Sequence, residues 1–340
     1  MNDKQRAKPK AVCISDIHFS ISTLDLASSA LKQAINKATE FNVPLIVAGD
    51  LHDTKALLRG EVVNRLIDIF RTALPEIYLL IGNHDLINEK GTEHSLNFLK
   101  DYVKIVDKGM YVMEDMHLIP YKSNIQNLKT YLECIPKNST VICHQGIHSA
   151  EMGHYVQDKS AAPKEWFEDF RTISGHYHKA QDIKCGNVGK NSVGVYSYVG
   201  SPYTVSFAEA NDGPKGFRIL YEDGTLELVP TNLRKHIVVE RELINCLKPI
   251  PEYSPGDLVW LKLRGPATGL AASKKDYIGK KLFGHSNFKF DKIVTDLDDK
   301  IIRRTEVVKD SELLDAIIDR TAERKDKKSE LKKLWRELVE

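Results

Sequence analysis

The sequence predicts an α/β fold, and three observations carry that expectation. Within the first ninety residues short apolar runs alternate with amphipathic helical patterns, a βαβαβ succession that implies parallel pairing through right-handed crossovers. Further apolar runs beyond residue 115 each lead into a loop. After about Pro230 a second set of strand and helix patterns begins, so 340 residues divide into a larger and a smaller unit.

Each element has its own signal. Residues 1–10 are polar and basic and read as a disordered tail. Ala11 to Ser15 is a short apolar strand; Leu24, Ala27, Leu31, Ile35 and Ala38 then recur at helical spacing behind Ser22 and Thr23, which suit helix caps. Val43 to Ala48 is a second strand, Val62, Leu66, Ile69 and Phe70 mark a second helix, and Ile77 to Ile81 is a third strand. Leu118-Ile119-Pro120, Thr140-Val141-Ile142 and Thr172-Ile173-Ser174 read as strands entering loops. Beyond Pro230, Ile237 to Val239, Leu258 to Leu263 and Phe288 to Val294 are strand-like, and Ser273 to Phe283 is helical with Lys274, Lys275, Lys280 and Lys281 exposed.

Composition narrows the function classes. A formal net charge of +2 is near neutral, so nucleic-acid binding must come from a local basic surface. Five cysteines, odd in number and without a C-x-x-C pair, point to reduced thiols in a cytoplasm rather than a disulfide framework. No apolar run approaches membrane-spanning length, and the basic start lacks the apolar segment of a signal peptide.

The chemistry lies in five short blocks: Asp16-Ile17-His18, Gly49-Asp50, Gly82-Asn83-His84-Asp85, Cys143-His144, and Gly175-His176-Tyr177-His178. The first three each follow a strand-like run, which places them along one sheet edge. Any one block has an ordinary reading as a turn or a pair of exposed histidines. Five in succession, at helix-and-strand separations, fit a two-metal phosphoesterase. Hydrolysing a phosphoester needs a hydroxide nucleophile at neutral pH and compensation for phosphoryl charge, and two divalent ions about 3.5 to 4 Å apart supply both. Ions that close need an anionic bridge, and Asp50 is the best placed carboxylate. Imidazole, carboxylate and amide ligands without thiolate favour manganese, iron or similar ions. A strand would turn Cys143 away from the face that carries His144.

The five blocks resemble the motifs D-x-H, G-D-x-x-D, G-N-H-D, H and G-H-x-H of the calcineurin-like metallophosphoesterase superfamily. Within it, Gly175-His176-Tyr177-His178-Lys179-Ala180-Gln181, Tyr198-Val199-Gly200-Ser201-Pro202-Tyr203, Phe207-Ala208-Glu209 and Lys215-Gly216-Phe217 resemble the SbcD-type nuclease subunits of DNA double-strand-break repair complexes. Protein serine/threonine phosphatases fit less well, since Thr54 and Asp85 stand where they carry arginine and glutamate. The resemblance spans roughly residues 12 to 217 and weakens beyond.

That resemblance implies a four-layer αββα metallophosphoesterase sandwich over residues 11–230, with Gly194 to Val199 and Phe217 to Tyr221 as antiparallel strands of a second sheet. It implies that Asp16, His18, Asp50 and His178 hold one ion and that Asp50, Asn83, His144 and His176 hold another, manganese first, with magnesium or iron as other occupants. His84 would protonate the leaving oxygen, a task suited to an imidazole pKa near 6.5, and Asp53 would orient it. His52, one residue before the position where relatives carry a histidine, is expected at the surface.

Residues 231–300 would form a small α/β capping domain facing duplex DNA, its lysines either meeting phosphates or making a solvated helix face. Residues 301–340 form charged helical stretches with narrow apolar stripes, Leu313, Leu314, Ile317 and Ile318, then Leu331, Leu334, Trp335 and Leu338. Eleven Lys and Arg there face ten Asp and Glu, which excludes a DNA-binding tail. Such a stripe packs on its own domain or on a partner, and the resemblance implies docking on an SbcC-type SMC-like ABC ATPase. The expected function is a manganese-dependent exonuclease or endonuclease acting at double-stranded DNA ends, alone or as a homodimer, in a compact form such as bacteriophages encode. A small-molecule or RNA phosphodiesterase and a non-catalytic DNA-tethering subunit are the alternatives.

Overall fold

The structure, a computed structural model, describes residues 7–295 apart from 56, 89, 152–160, 187–193 and 251. The helical stretches expected in residues 301–340 lie outside the described residues. The βαβαβ run comprises β1 (Pro9–Ile14), α1 (Leu24–Phe41), β2 (Leu45–Ala48), α2 (Gly60–Arg71) and β3 (Ile77–Leu80). There follow β4 (Lys104–Val106), β5 (Tyr111–Met113), β6 (Met116–Ile119), α3 (Ile125–Glu133), β7 (Thr140–His144), β8 (Arg171–Gly175), β9 (Gln181–Cys185), β10 (Gly194–Tyr198), β11 (Gly216–Tyr221) and β12 (Leu226–Pro230). Two six-stranded sheets result, ordered β12-β11-β1-β2-β3-β4 and β5-β6-β7-β8-β10-β9.

Strand alternation sorts the side chains into three apolar layers. In the first sheet Val12, Ile14, Leu45, Val47, Ile77 and Leu79 face α1 and α2, packing on Leu31, Ile35, Leu66 and Phe70. Their neighbours Ala11, Cys13, Ile46, Ala48, Tyr78 and Leu80 face the second sheet and meet Leu118, Ile142 and Ile173. On the far side Val141, Cys143, Tyr196 and Tyr198 pack on Leu128 and Leu132 of α3 and on Phe167. This is the four-layer αββα arrangement. The same period of two points His144 and Gly175 inward with Ile142 and Ile173, toward the first sheet.

Several local expectations are corrected. β1 begins at Pro9, inside the stretch read as tail, because Pro9 pairs with Tyr221 and Glu222 N donates to Lys8 O. Phe217 to Tyr221 belongs to the first sheet, not the second. It runs antiparallel beside β1, where it covers an otherwise open edge. β10 is antiparallel to β9 but parallel to β8. Thr23 stands at the start of α1 without capping it; its hydroxyl donates to His18 O at 2.9 Å and accepts from Ser20 N at 3.0 Å, tying down the preceding loop. The far end of α1 closes on Asn42 in the left-handed region, φ 53°, which asparagine tolerates.

The chain divides after Arg234. The second unit holds β13 (His236–Glu242), β14 (Leu258–Gly265), α4 (Ala267–Ala272), α5 (Lys275–Phe283) and β15 (Lys289–Val294), with an all-parallel sheet ordered β13-β14-β15. Val259, Leu261 and Leu263 pack with Ile250, Leu270, Ile278 and Phe288 in a core of its own. Lys274, Lys275, Lys280 and Lys281 are exposed. Cys13, Cys143, Cys185 and Cys246 are buried free thiols, and Cys134 is an exposed one. Among the described residues, no helix is long and apolar enough to cross a membrane.

The two sheets come close together at the end of β8. A Cβ on Gly175 would stand 2.3 Å from Ala48 O and 2.6 Å from His144 Nδ1. Gly175→Ala therefore forces the sheets apart there. Overpacking of this kind costs about 1 to 3 kcal/mol, and calorimetry should show a fall in Tm of roughly 2 to 12 °C. An unchanged Tm would mean that the junction is pliable.

Candidate metal centre

The loops after β1 and β2 run side by side and fix each other. Asp16 N donates to Gly49 O at 3.1 Å, His18 N to Asp50 O at 3.1 Å and Phe19 N to Leu51 O at 2.8 Å. This ladder holds Asp16, His18 and Asp50 with positive φ, 51°, 51° and 52°, and His176 joins them at 89°. Non-glycine residues rarely adopt that region, and four candidate ligands doing so together mark a site whose surroundings enforce the backbone. Gly49, at φ 89°, leaves room for His144, whose Nδ1 would lie 2.2 Å from a Cβ there.

All seven candidate ligands converge. His18 Nε2 stands 3.0 Å from His178 Nε2 and 4.0 Å from Asp50 Oδ2. His144 Nε2 lies 3.2 Å from the same Asp50 Oδ2 and 3.1 Å from Asn83 Oδ1, which is 2.8 Å from His176 Nδ1. Asp16 accepts from His176 N and offers a ligand oxygen beside His18 and His178. Asp50 Oδ2 thus stands between the two groups, while Oδ1 accepts from His84 N at 2.8 Å. Asp16, His18, Asp50 and His144 form a buried floor; Asn83, His84, His176 and His178 form a partly open rim.

The donor set fits divalent cations. His144 Nδ1 donates to Ala48 O at 2.7 Å, which turns the Nε2 lone pair toward Asp50 Oδ2 and Asn83 Oδ1, both acceptors. His178 Nδ1 is likewise engaged by Glu209 Oε1 at 2.9 Å, which aims its Nε2 at that of His18. Oxygen and nitrogen lone pairs facing one another call for positive charge. Burial pushes the His144 imidazole down, yet Asp50 and Asp16 raise it to about 9, and His18 is raised above its ordinary value by Asp53, Asp50 and Asp16 against the same burial. Burial also works against the Asp50 carboxylate, but His144, His18 and His84 hold it well below the usual range.

Two residues sit otherwise than the sequence suggested. Asp53 meets His84 through its main chain, the carbonyl accepting from His84 Nδ1 at 2.8 Å. Its carboxylate, half exposed, stands 3.4 Å from His18 Nδ1 instead. His52 is not at the surface: it is 1% exposed, paired beside Phe19, with Nδ1 donating to Thr54 O at 2.8 Å.

Other contributors escaped the sequence. Asp85, fully buried, accepts from Gly82 N, Asp50 N and His52 N at 2.9 to 3.0 Å, so one carboxylate joins the β2 and β3 loops. Burial and the charge of Asp50 raise it to about 7. Gln145, after His144, is held by Ser174, Tyr196 and Tyr198. Tyr121 stacks on His176, centroids 6.0 Å apart. Short motifs mark the candidate ligands; Asp85 lies within one of those blocks and Gln145 beside another, but the contacts that give them their roles come from other segments.

Two substitutions separate these roles. Asp50→Asn removes the anionic bridge, so titration calorimetry with manganese should show at most one tight ion per chain; two would exclude the bridging role. Asp53→Asn loses the carboxylate beside His18 but keeps the carbonyl that anchors His84. It should weaken metal affinity by about 10- to 100-fold while turnover at saturating metal stays near that of the parent. A large loss at saturating metal would place the carboxylate in the chemistry.

The sequence profile of the calcineurin-like phosphoesterases matches residues 9–215, more than half of the chain. Among solved structures the chain is similar to the nuclease MPE of Pseudomonas putida, with 13% identity over 62% of this chain and 84% of that one and a TM-score of 0.31. It is also similar to the purple acid phosphatase PPD1 from yellow lupin (Lupinus luteus) seeds, with 12% identity over 66% of this chain and 52% of that one and a TM-score of 0.44. No curated protein sequence matches. The profile match runs from the first residue of β1 to the residue before β11, and with it the chain belongs to the calcineurin-like phosphoesterase family and is a metal-dependent phosphoester hydrolase.

Proposed function

We propose that this phosphoesterase is a manganese-dependent nuclease of the SbcD type, acting on phosphodiester bonds at double-stranded DNA ends as the partner of an SbcC-type SMC-like ABC ATPase. One observation carries the reading: the segment that gives the sequence its SbcD-like character is built into the metal centre. Ser201 N donates to His178 O at 3.0 Å, and Tyr203 OH donates to Ile17 O, so Gly200-Ser201-Pro202-Tyr203 ties the His178 loop to the loop of Asp16 and His18. The exposed lysines of α5 supply point charges suited to backbone phosphates. The apolar stripes of residues 301–340 are assigned to the ATPase.

When bound, two divalent ions supply a nucleophile at neutral pH and neutralise charge on the phosphoryl oxygens. Asp16, His18, Asp50 and His178 would hold one, and Asp50, Asn83, His144 and His176 the other. The absence of thiolate among these groups favours manganese, iron or similar ions. His84 stands on the open rim with Nδ1 committed to the Asp53 carbonyl, so the proton it delivers to the leaving oxygen is the one on Nε2. The main-chain bond from His84 N to Asp50 Oδ1 keeps that imidazole at a fixed distance from the bridging carboxylate.

The test is manganese-dependent digestion of linear duplex, closed circular duplex and single-stranded DNA by the purified chain, with and without the ATPase. Linear duplex should be degraded and the ATPase should raise the rate. Hydrolysis of RNA or of a small chromogenic diester with DNA left intact would move the enzyme to another substrate class, and indifference to the ATPase would remove the partner. His84→Ala should retain manganese and DNA affinity while turnover falls by about 10² to 10⁴. Parent-level cleavage would show that another group protonates the leaving oxygen.

A further inference from the structure

His178 is a candidate metal-centre imidazole that its own strand does not hold. It follows β8 on a loop, its side chain is 29% exposed, and it lacks the buried packing of His18 and His144. What holds it comes from residues 201–215. The short helical turn Phe207–Glu209 brings Glu209 Oε1 to 2.9 Å from His178 Nδ1, while Oε2 accepts from Val205 N at 3.2 Å and lies 3.0 Å from Lys215 Nζ. Lys215 Nζ also donates to His178 O at 2.8 Å, Ser201 Oγ at 3.0 Å and Asp212 Oδ2 at 2.9 Å.

We propose that Glu209 and Lys215 are positioning residues of the metal centre: the Glu209 carboxylate fixes the tautomer and direction of His178, and the Lys215 ammonium anchors both that carboxylate and the His178 main chain. The inference rests on the two-ion reading of the site. An imidazole whose Nδ1–H is held by a carboxylate presents its Nε2 lone pair in one direction and with greater basicity. Here that direction is toward His18 Nε2 and Asp16. The ammonium is the costly part, since Lys215 is only 8% exposed and a buried charge must be paired and hydrogen-bonded. Two carboxylates, a carbonyl and a hydroxyl meet that requirement. Lys215 directly precedes β11, which pairs with β1, the strand that delivers Asp16 and His18. One ammonium therefore registers the rim ligand against the floor ligands.

A purely structural ion pair would steady this loop without changing how the site holds a cation, so metal affinity separates the two roles. Manganese would be titrated calorimetrically into the full chain after chelator treatment, for the parent, Glu209→Gln, Glu209→Asp and Lys215→Met, with the Tm of each chelator-treated protein measured in parallel. The parent should bind two ions. In Glu209→Gln one of the two should weaken by about 10- to 100-fold with the other near the parent value, and the metal-free Tm should stay within a few degrees. Glu209→Asp keeps the charge for Lys215 but draws the carboxylate back from Nδ1, so it should weaken the same ion with the fold intact. Lys215→Met should weaken that ion and also lower the Tm. Two parent-like affinities in both Glu209 variants would overturn the proposal, as would equal weakening of both ions with a lowered Tm. A parent that binds no manganese would instead overturn the two-ion reading beneath it.

Discussion

The structure depends on a concentration of carboxylate, amide and imidazole groups drawn together at the ends of the strands. Asp16, Asp50, Asn83 and four imidazoles point oxygen and nitrogen at one another across a buried floor and a partly open rim. In bulk water such groups would hydrate and separate. Here each is held by a bond on its other side: His144 by the Ala48 carbonyl, Asp50 by the amide of His84, Asp16 by the amide of His176, His178 by Glu209. Their convergence on a small volume is what suits the site to divalent cations.

Holding that arrangement has a cost that the surrounding fold absorbs. Backbone in a sparsely populated region costs of order 1 to 3 kcal/mol per residue, and four ligand positions adopt positive φ. Two devices keep them there. The ladder between the β1 and β2 loops determines the backbone of Asp16, His18 and Asp50 in common, and the Asp85 carboxylate collects three amides that would otherwise be unpaired in the interior. A buried amide without a partner costs about 1 to 3 kcal/mol, so the loops gain little by relaxing singly. Behind them stand three continuous apolar layers, and it is the inward face of each sheet that carries the ligand-bearing strand ends together.

The division of labour between the two carboxylates after Asp50 follows from the same geometry. Asp53, half exposed at the rim, uses its carbonyl for His84 and its carboxylate for His18. Asp85, without any exposure, serves main-chain amides. A side chain near solvent can face ligand or substrate, whereas a sealed one must spend its oxygens on internal donors. His52 obeys the same rule: the β-bridge beside Phe19 takes it inside, and its ring is satisfied by Thr54 O rather than by anything at the centre.

Local pattern was enough to determine the βαβαβ run and its strand ends, and to single out the candidate ligands that the fold brings together, since periodicity and short motifs are properties of adjacent residues. Cys143 and His144 facing opposite ways follows from strand geometry in the same manner. Tertiary structure decided what adjacency does not encode. β11 pairs with β1 and covers its open edge, Thr23 bonds the His18 loop instead of capping its helix, and Asp53 turns its carboxylate to His18 while its carbonyl meets His84. Glu209 and Lys215, which have no helical or strand periodicity to announce them, reach His178 from 31 and 37 residues further along the chain, past β9 and β10. The motifs that carry Glu209 and Lys215 are legible in the sequence, but their bonds to His178 are fixed only by the packing of the whole fold.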